Sequence, residues 1–306
     1  MKINRTDFSQ LVNIAMQNDQ VTHMRPVVEK ELLHYDILFC LEQGGLLDEL
    51  VFQGGTSLRL CYGGSRFSED LDFAGGKDFS SSQLKDMKQC IEDYIGKRYG
   101  LEVTVKEPDI LKQQPEYSEL KINKWQISII TSPGRKDLPK QRIKIEVANI
   151  PAYTRNILPL RNNYPSLPDG YNDTLIHVET LDEIMADKLI SLPATRNYVR
   201  HRDIWDLVWL QQQNAKLNTD LVMKKIADYK LINFTTLLEL RLQSLPEIIT
   251  GKAFVAEMER FLPSDTFTRT LGNKKFIPYL ISNLKELFQK LQNSLSENDN
   301  QPKFRM

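Results

Sequence analysis

The hydrophobic pattern of this chain changes its period part-way along, and this change restricts the folds that the chain can adopt. Apolar and polar residues alternate around 101–105, 125–129 and 143–147, which is the two-residue period of β-strands. From about residue 180 the apolar positions recur every three or four residues, as in amphipathic helices. The predicted helices of this second region cover 180–192, 202–213, 218–228, 233–243, 252–262 and 273–293. A sheet-containing domain followed by an all-helical domain is therefore expected.

The first domain contains helices as well as strands. Residues 6–47 have helical spacing, a short apolar strand follows at Leu50–Phe52, and another helix is predicted over 78–97. A stretch rich in Pro and Asn, 151–173, separates this mixed region from the helices that follow. We expect an α+β domain over residues 1–165, a helical domain over 166–293 and a frayed polar tail over 294–306.

Composition excludes several classes of protein. The 306 residues contain 40 Lys+Arg and 40 Asp+Glu, so the net charge is zero, which argues against a protein that coats nucleic acid. The 13 Phe, 11 Tyr and 3 Trp residues exclude intrinsic disorder. The sequence has no secretory signal and no apolar run long enough to span a bilayer, and its three cysteines lack metal-ligand spacing. We therefore expect a cytoplasmic protein that does not associate with membranes and whose cysteines are buried thiols.

Two acidic residues stand two positions apart at the start of a predicted strand. Asp70 and Asp72 flank Leu71, and in a strand such a pair points to one face while Leu71 and Phe73 point into the core. Paired carboxylates are the oxygen ligands that Mg²⁺ prefers, usually together with phosphate oxygens. The pair therefore predicts a Mg²⁺ or Mn²⁺ site.

A glycine-containing turn precedes this pair. Gly54, Gly55, Thr56 and Ser57 follow a short strand and lead into a helix that is predicted to begin near Ser57. Glycines let the backbone approach a phosphate, and a helix N-terminus supplies N–H donors. Either feature alone is more often a tight turn or a pair of surface acids, but together they predict a site for a metal-bound nucleoside triphosphate.

The same residues resemble a known family. Gly54–Leu58 (GGTSL) followed by Arg66–Phe73 (RFSEDLDF) is similar to the motif of AbiEii/AbiGii-type nucleotidyltransferase toxins, which belong to the DNA polymerase β-like superfamily. Ala186–Leu189 (ADKL) and Arg202–Leu207 (RDIWDL) resemble two further segments of that family, in the expected order.

This resemblance implies a fold and an activity. The fold would be the polymerase β-like mixed sheet with flanking helices, followed by helices that complete the enzyme. The activity would be transfer of a nucleotide from a nucleoside triphosphate to an RNA acceptor, with the tRNA 3′ end the expected target, by a toxin that pairs with an antitoxin encoded nearby. Nucleotide-binding residues implied by the family motif, in addition to the turn, are Arg66, Ser68 and Lys188.

The spacing of residues in the two later segments also predicts where their charged side chains lie. Lys188 lies on the apolar stripe of its predicted helix, where a lysine either extends its ammonium to the surface or reaches a functional site. A short connection to the next helix would bring Asp203 near Lys188. Asp203 is a candidate proton acceptor, although a first-turn acid also suits the helix dipole, and Asp206 is an alternative one turn further on.

A third carboxylate lies on a predicted neighbouring strand. Glu146 alternates with Ile145 and Val147, so it faces away from the core, either into solvent or into the site. In the superfamily that the chain resembles, an acid at such a place completes the metal shell or accepts a proton. The adjacent cations Arg135, Lys136, Lys140, Arg142 and Lys144 form either a solvated hairpin or a surface for a phosphate backbone.

Two other functions fit the same motifs. A related enzyme could modify a small molecule of the aminoglycoside type, or the chain could be a catalytically idle module that binds RNA or protein. The sequence lacks the nucleophile elbow, the Walker A lysine and the dinucleotide-binding glycine motif, which removes serine hydrolases, P-loop NTPases and Rossmann dehydrogenases.

Overall fold

The computed structural model describes residues 6–108, 122–135, 137–168 and 170–299. The chain divides into two compact units. A sheet unit comprises Met1–Glu179 with Phe261–Ser264, and a helical unit comprises Thr180–Arg260 with Asp265–Met306.

A mixed sheet of seven strands forms the sheet unit. In chain order, β1 to β7 are Val51–Gln53, Leu71–Ala74, Val103–Lys106, Ile122–Ile129, Gln141–Ala148, Asn156–Pro159 and Leu175–Val178. The strand order across the sheet is β3-β4-β5-β2-β1-β7-β6. The pairs β2–β5 and β1–β7 are parallel, and the other neighbours are antiparallel.

The apolar side chains on one face of this sheet form part of the hydrophobic core. Leu71 and Phe73 on β2 and Ile145 on β5 are fully buried, so the alternation predicted for these strands is confirmed. The core cluster also includes apolar residues of α2 (Arg25–Gln43) and α4 (Met87–Tyr99). Truncation of a buried aromatic such as Phe73 to Ala typically costs about 3–5 kcal/mol, so this face contributes strongly to stability.

The helices of the sheet unit begin and end at recognisable signals. The predicted N-terminal pair is present as α1 (Phe8–Ala15), whose first N–H groups donate to the Asp7 carboxylate, and α2. α3 is Gly54–Leu60. The single helix predicted over 78–97 is instead a 3₁₀ turn at Ser81–Leu84 followed by α4, which is capped at its C-terminus by Gly100 with φ +68°.

A buried polar network attaches the Pro- and Asn-rich stretch to α2. The Asp36 carboxylate on α2 accepts hydrogen bonds from the hydroxyls of Tyr99 and Tyr171 and lies 3.3 Å from Arg98 Nε. Burial raises the pKa of Asp36 to about 6, although Arg98 and the tyrosine hydrogen bonds act in the opposite direction. The described part of the stretch 151–173 thus packs within the sheet unit, and β7 lies in this unit beyond residue 165, where the sequence predicts its end.

A second segment of chain completes the sheet unit from far along the sequence. Phe261 is fully buried, and its carbonyl accepts a hydrogen bond of 2.8 Å from the Phe67 N–H. Ser264 Oγ donates to the Gln20 carbonyl at 3.2 Å. The sheet unit is therefore discontinuous in sequence.

The helical unit follows the predicted pattern with longer elements. Its helices α5 to α11 are Leu181–Ala194, His201–Gln212, Thr219–Asp228, Phe234–Thr250, Lys252–Phe261, Ser264–Arg269 and Phe276–Asp299. α8 continues beyond the predicted end at 243, and α11 extends to Asp299, so the first residues of the segment predicted to be frayed are helical. Residues 300–306 lie outside the described residues.

A fully buried ion pair joins two of these helices, α5 and α7. Lys225 Nζ on α7 lies 2.8 Å from Glu183 and 3.2 Å from Asp187, both on α5, and the side chains of Lys225 and Glu183 are 0% exposed. In the same unit, the Arg241 guanidinium on α8 donates to the carbonyls of Leu192 and Thr195. Charged groups thus satisfy one another and the backbone inside this unit.

Two expectations from composition bear on the described residues. Cys40 and Cys61 are buried free thiols, as predicted, whereas Cys90 is only partly buried. None of the described helices has both the length and the apolar character needed to cross a bilayer.

Candidate active site

The two predicted metal ligands lie at the start of β2. Asp72 is the second residue of the strand and Asp70 directly precedes it, and both are partly exposed while Leu71 and Phe73 are buried. The strand alternation that buries the two apolar residues therefore places both carboxylates on the polar face of the sheet.

Glu146 stands beside this pair on the next strand. It is the register partner of Asp72 in the parallel β2–β5 ladder. The same row continues to Gln53, which pairs with Asp72 from β1, and to Lys124, which pairs with Glu146 from β4. Register thus aligns four polar side chains on adjacent strands, which are spaced about 4.8 Å apart.

Lys124 is a residue of this row that sequence analysis missed. Its Nζ lies 3.1 Å from Glu146 Oε1, and both side chains are shielded, with 15% and 25% exposure. Trp125 and Ile127 are buried and alternate with more exposed residues along β4, so Lys124 lies on the polar face. The sequence held no signal for the register that brings this lysine opposite Glu146.

The glycine turn makes room for the acidic strand. Gly54 has φ +78°, a conformation that favours glycine, and a Cβ at this position would lie 2.9 Å from Asp72 Oδ2. A Cβ on Gly55 would overlap the Arg66 guanidinium and approach Ser68 Oγ at 3.0 Å. The two glycines therefore allow Asp72, Arg66 and Ser68 to pack directly against the turn.

The two hydroxyl groups of the turn donate hydrogen bonds to backbone carbonyls. Thr56 Oγ1 donates to the Asp70 carbonyl, Ser57 Oγ donates to the Gly54 carbonyl at 2.8 Å, and both side chains are buried. α3 begins at Gly54, earlier than the predicted start near Ser57. The hydroxyls thus fix the turn against β2, and a phosphate at this turn would meet backbone N–H groups of the first helical turn.

Arg66 and Ser68, implied by the family motif, lie at the same turn. Both are buried, with 5% and 7% exposure, and Arg66 Nη1 donates to the Phe67 carbonyl at 2.8 Å. Its guanidinium therefore has a fixed position next to Gly55. A fixed guanidinium beside a glycine turn is suited to a phosphate oxygen.

A second charged cluster lies in the helical unit. Lys188 Nζ on α5 is 2.9 Å from Asp203 Oδ1 and 2.7 Å from Asp206 Oδ2, both on α6, and Ser191 Oγ donates to Asp203 at 2.8 Å. The expected proximity of Lys188 and Asp203 is confirmed. Lys188 is only 6% exposed, so the alternative in which its ammonium extends to the surface is wrong.

Electrostatics keep this second cluster ionised. Burial alone would raise the pKa of Asp203, but the ammonium of Lys188, the guanidinium of Arg200 and the hydrogen bonds from Lys188 and Ser191 lower it well below the ordinary value. Asp203 is therefore a weak proton acceptor. Asp206, the alternative to Asp203, is occupied by the same lysine.

Comparison with known proteins identifies the family. The family model described as nucleotidyl transferase AbiEii toxin, type IV TA system, matches residues 36–297. This chain belongs to that family. It is thus a nucleotidyltransferase toxin of the type IV toxin–antitoxin class, which implies a nucleotide substrate and an antitoxin partner.

The chain also matches solved structures, at low sequence identity. One is a candidate nucleotidyltransferase from H. pylori, with 18% identity, a TM-score of 0.48, and coverage of 89% of this chain and 96% of that one. Another is JHP933 from Helicobacter pylori, with 18% identity, a TM-score of 0.47, and coverage of 89% and 94%. No curated protein sequence matches the chain.

The acidic pair of this AbiEii family member suits a divalent cation. Burial raises the pKa of Asp70, and the neighbouring Glu146 and Glu69 raise it further, against the opposing effects of Lys144 and Lys30. A carboxylate whose ionised form is disfavoured in this way would be stabilised by a cation.

The carboxylates do not form a complete cage. Within the described ranges, no group of three or more Asp, Glu, His or Cys side chains is arranged to hold a metal ion. The predicted set of Asp70, Asp72 and Glu146 is thus not preassembled, because Glu146 pairs with Lys124. Mg²⁺ commonly takes one or two carboxylates and completes its shell with water and phosphate oxygens, a requirement that Asp70 and Asp72 can meet.

Proposed function

We propose that this toxin transfers a nucleoside monophosphate from a nucleoside triphosphate to the 3′ end of an RNA, with tRNA as the preferred acceptor, and so blocks translation. The observation that carries the proposal is the register of Asp72 with Glu146 beside the Gly54–Gly55 turn. This arrangement combines two oxygen ligands, a phosphate-binding turn and a nearby proton acceptor on one sheet face.

Asp70 and Asp72 would hold a divalent ion, Mg²⁺ or Mn²⁺. When bound, such an ion supplies charge neutralisation for the triphosphate and orients its reacting phosphate. The remaining contributions come from the chain: the N–H groups that begin α3 bind phosphate oxygens, and Arg66 adds a fixed positive charge at the same turn.

Glu146 is the better candidate for the group that takes the proton from the attacking hydroxyl. It lies on the polar face next to Asp72 and is partly accessible, with 25% side-chain exposure. Its pairing with Lys124 fixes the carboxylate without burying it completely. Asp203 is held ionised by Lys188, and a carboxyl with a lowered pKa accepts a proton poorly.

Lys188 is proposed as a contact of the triphosphate, with Asp203 and Asp206 as its positioning residues. An ammonium has three donors, and two carboxylates fix its direction in the helical unit. Loss of either carboxylate would then weaken nucleotide binding indirectly, through the lysine.

A labelled-nucleotide screen tests this function. The purified toxin is incubated with each of the four nucleoside triphosphates, labelled at the α-phosphate, and with either total cellular RNA, purified tRNA or an aminoglycoside. We expect label in tRNA, a dependence on added divalent ion, and release of pyrophosphate. Label in the aminoglycoside alone would move the proposal to small-molecule modification, and no transfer to any acceptor would refute it.

A matched control variant makes the same Asp→Asn change away from the proposed site. Asp72→Asn should lose transfer, whereas Asp93→Asn, at an exposed site on α4 that pairs with Lys97, should retain it. Equal activity of the two variants would contradict the proposed metal ligands.

A further inference from the structure

The polar face of the sheet carries cations next to the acidic pair. Lys106 on β3 and Lys144 on β5 both stand opposite Gln126 on the intervening strand β4. Arg142 on β5 stands opposite Ser128. Opposed residues of antiparallel strands share a face, so Lys106, Arg142 and Lys144 form one surface, called here the cationic face.

This face is open in the folded chain. Lys106, Arg142 and Lys144 are exposed, and none takes part in an ion pair among the residues that the structure describes. The opposite face of the same strands is closed, since Ile143 and Ile145 are fully buried. One side of the strands therefore builds the core while the other presents positive charge to solvent.

Protection of a sheet edge does not explain this charge. Lysines commonly discourage pairing of edge strands, and Lys106 on the edge strand β3 fits that use. Arg142 and Lys144 lie on β5, which has β4 on one side and β2 on the other. Like charges held two residues apart on an interior strand repel each other and gain nothing from shielding an edge.

The cationic face leads to the acidic pair. β2 and β5 pair with Leu71 opposite Ile145, so Asp70 and Lys144 stand next to each other at the preceding position of each strand. Along β5, Arg142 lies about 6.6 Å from Lys144, on the side away from Glu146. Positive charge thus extends across β5 and β3 and ends beside the carboxylates.

We propose that the cationic face binds the sugar-phosphate backbone of the acceptor RNA and delivers its 3′ end to Asp70, Asp72 and Glu146. This inference rests on the proposed function and states where the acceptor RNA binds. Charge complementarity selects the occupant, because a phosphate backbone offers repeated negative charge with no need for an apolar contact. The polar residues between the cations, Gln126 and Ser128, are suited to phosphate and sugar oxygens.

Binding is measured apart from catalysis. Fluorescently labelled tRNA is titrated with the Asp72→Asn protein, and the dissociation constant is followed by anisotropy as salt is varied. The test variant adds Lys106→Gln, Arg142→Gln and Lys144→Gln to this protein. The control variant adds Lys85→Gln, Lys252→Gln and Lys274→Gln, which remove the same charge at other exposed positions.

The test variant should bind tRNA about tenfold more weakly than the control variant near physiological salt. Each lost phosphate contact reduces the slope of log K against log salt by about 0.7 for a single strand, so the test variant should lose a slope of about 2. In the otherwise wild-type enzyme, the same three substitutions should raise the KM for tRNA much more than the KM for nucleoside triphosphate.

Equal affinities and slopes for the two variants would overturn the proposal. Unchanged tRNA binding together with loss of binding to an acidic protein partner would also overturn it and would assign the face to protein recognition. Circular dichroism of both variants checks folding, and a variant set with each substitution made singly replaces the triple variant if it unfolds. If the wild-type enzyme labels no RNA, the proposed function fails by that result, whereas anisotropy still decides the cationic face.

Discussion

Two charged clusters of this protein use the same residue types in opposite ways. In the helical unit, Lys188 neutralises Asp203 and Asp206 at distances of 2.9 and 2.7 Å, and the cluster is buried. In the sheet unit, Asp70 and Asp72 are partly exposed, and burial and acidic neighbours raise the pKa of Asp70. One cluster pairs its carboxylates with a lysine of the same chain, whereas a bound cation would stabilise the other.

This difference gives the removal of a charge a different consequence in each cluster. A buried lysine with two carboxylates satisfies its charges within the chain, so its removal exposes a large desolvation cost. Asp70, whose pKa is raised by burial and acidic neighbours, is ionised at a cost to the folded state, a pattern found where proteins bind ligands. Each of the following substitutions changes one side of this comparison.

Asp72→Asn should produce the largest effect, on catalysis. We expect nucleotide transfer to fall by about a thousandfold or more, because an amide is a poor replacement for a carboxylate ligand. The melting temperature should change little, since Asp72 is partly exposed. Initial rates with labelled nucleoside triphosphate measure the loss, and a variant with more than a tenth of the wild-type rate would disprove the assignment.

Lys188→Met should produce the largest effect on folding. Removal of the lysine takes away the ammonium 2.9 Å from Asp203 and 2.7 Å from Asp206 and leaves Arg200, 3.8 Å from Asp203, so the free energy of unfolding should fall by about 3–5 kcal/mol. Urea denaturation followed by circular dichroism measures the change.

The double replacement of both acids sharpens this test. In Lys188→Met/Asp203→Asn/Asp206→Asn the buried ammonium and both buried carboxylates are removed together, so much of the lost stability should return. Nucleotide transfer should remain impaired in this variant if Lys188 contacts the triphosphate. Recovery of full activity along with stability would make the helical cluster purely structural.

Gly54→Ala should have an intermediate effect on both properties. The methyl group would force a left-handed φ of +78° on alanine, at a cost of about 1–2 kcal/mol, and it would approach Asp72 Oδ2. We expect the affinity for the divalent ion to decrease as well, measured by titration calorimetry. Gly76→Ala, which also has a positive φ but no atom within 4 Å of the added methyl, is the matched control for strain alone.

Asp70→Asn should produce the smallest change in stability, and in the opposite direction. The raised pKa means that the folded state holds the Asp70 proton more tightly than the unfolded state, so this group's stabilising contribution is lost as pH rises through the folded-state pKa. At neutral pH the metal-free variant should therefore melt at a higher temperature than the metal-free wild type.

Added Mg²⁺ should reverse that order. A cation that binds the folded wild type raises its melting temperature by mass action, and the amide variant should respond much less. A wild-type melting temperature that is equal at pH 5 and pH 8 without metal, together with no response to Mg²⁺ or Mn²⁺, would contradict the assignment of Asp70.

Local pattern was sufficient for some parts of the structure and insufficient for others. Alternation around Leu71 and Phe73 predicted which side of β2 bears the carboxylates, because strand geometry sets the facing of each residue. The partnership of Asp72 with Glu146 and of Glu146 with Lys124 depends on register between strands distant in sequence, which no local pattern encodes.

Local pattern also failed to predict the short strands β6 and β7. β6 (Asn156–Pro159) and β7 (Leu175–Val178) each have four residues, and the Pro- and Asn-rich composition around β6 is typical of a connection. Pairing of β7 with β1 and the hydrogen bond of Tyr171 with Asp36 incorporate this stretch into the sheet unit. Tertiary contacts thus determined what composition had indicated to be a separator.

The return of Phe261–Ser264 to the sheet unit has a consequence for synthesis of the toxin on the ribosome. The Phe67 N–H and the core around Phe261 acquire their partners only after residue 261 has left the exit tunnel, by which time the helices from Leu181 onward have been translated. A nascent chain that ends at Glu179 contains every proposed ligand on the sheet but not the segment that completes their unit. Full assembly of the sheet unit is therefore delayed until Phe261–Ser264 has been translated.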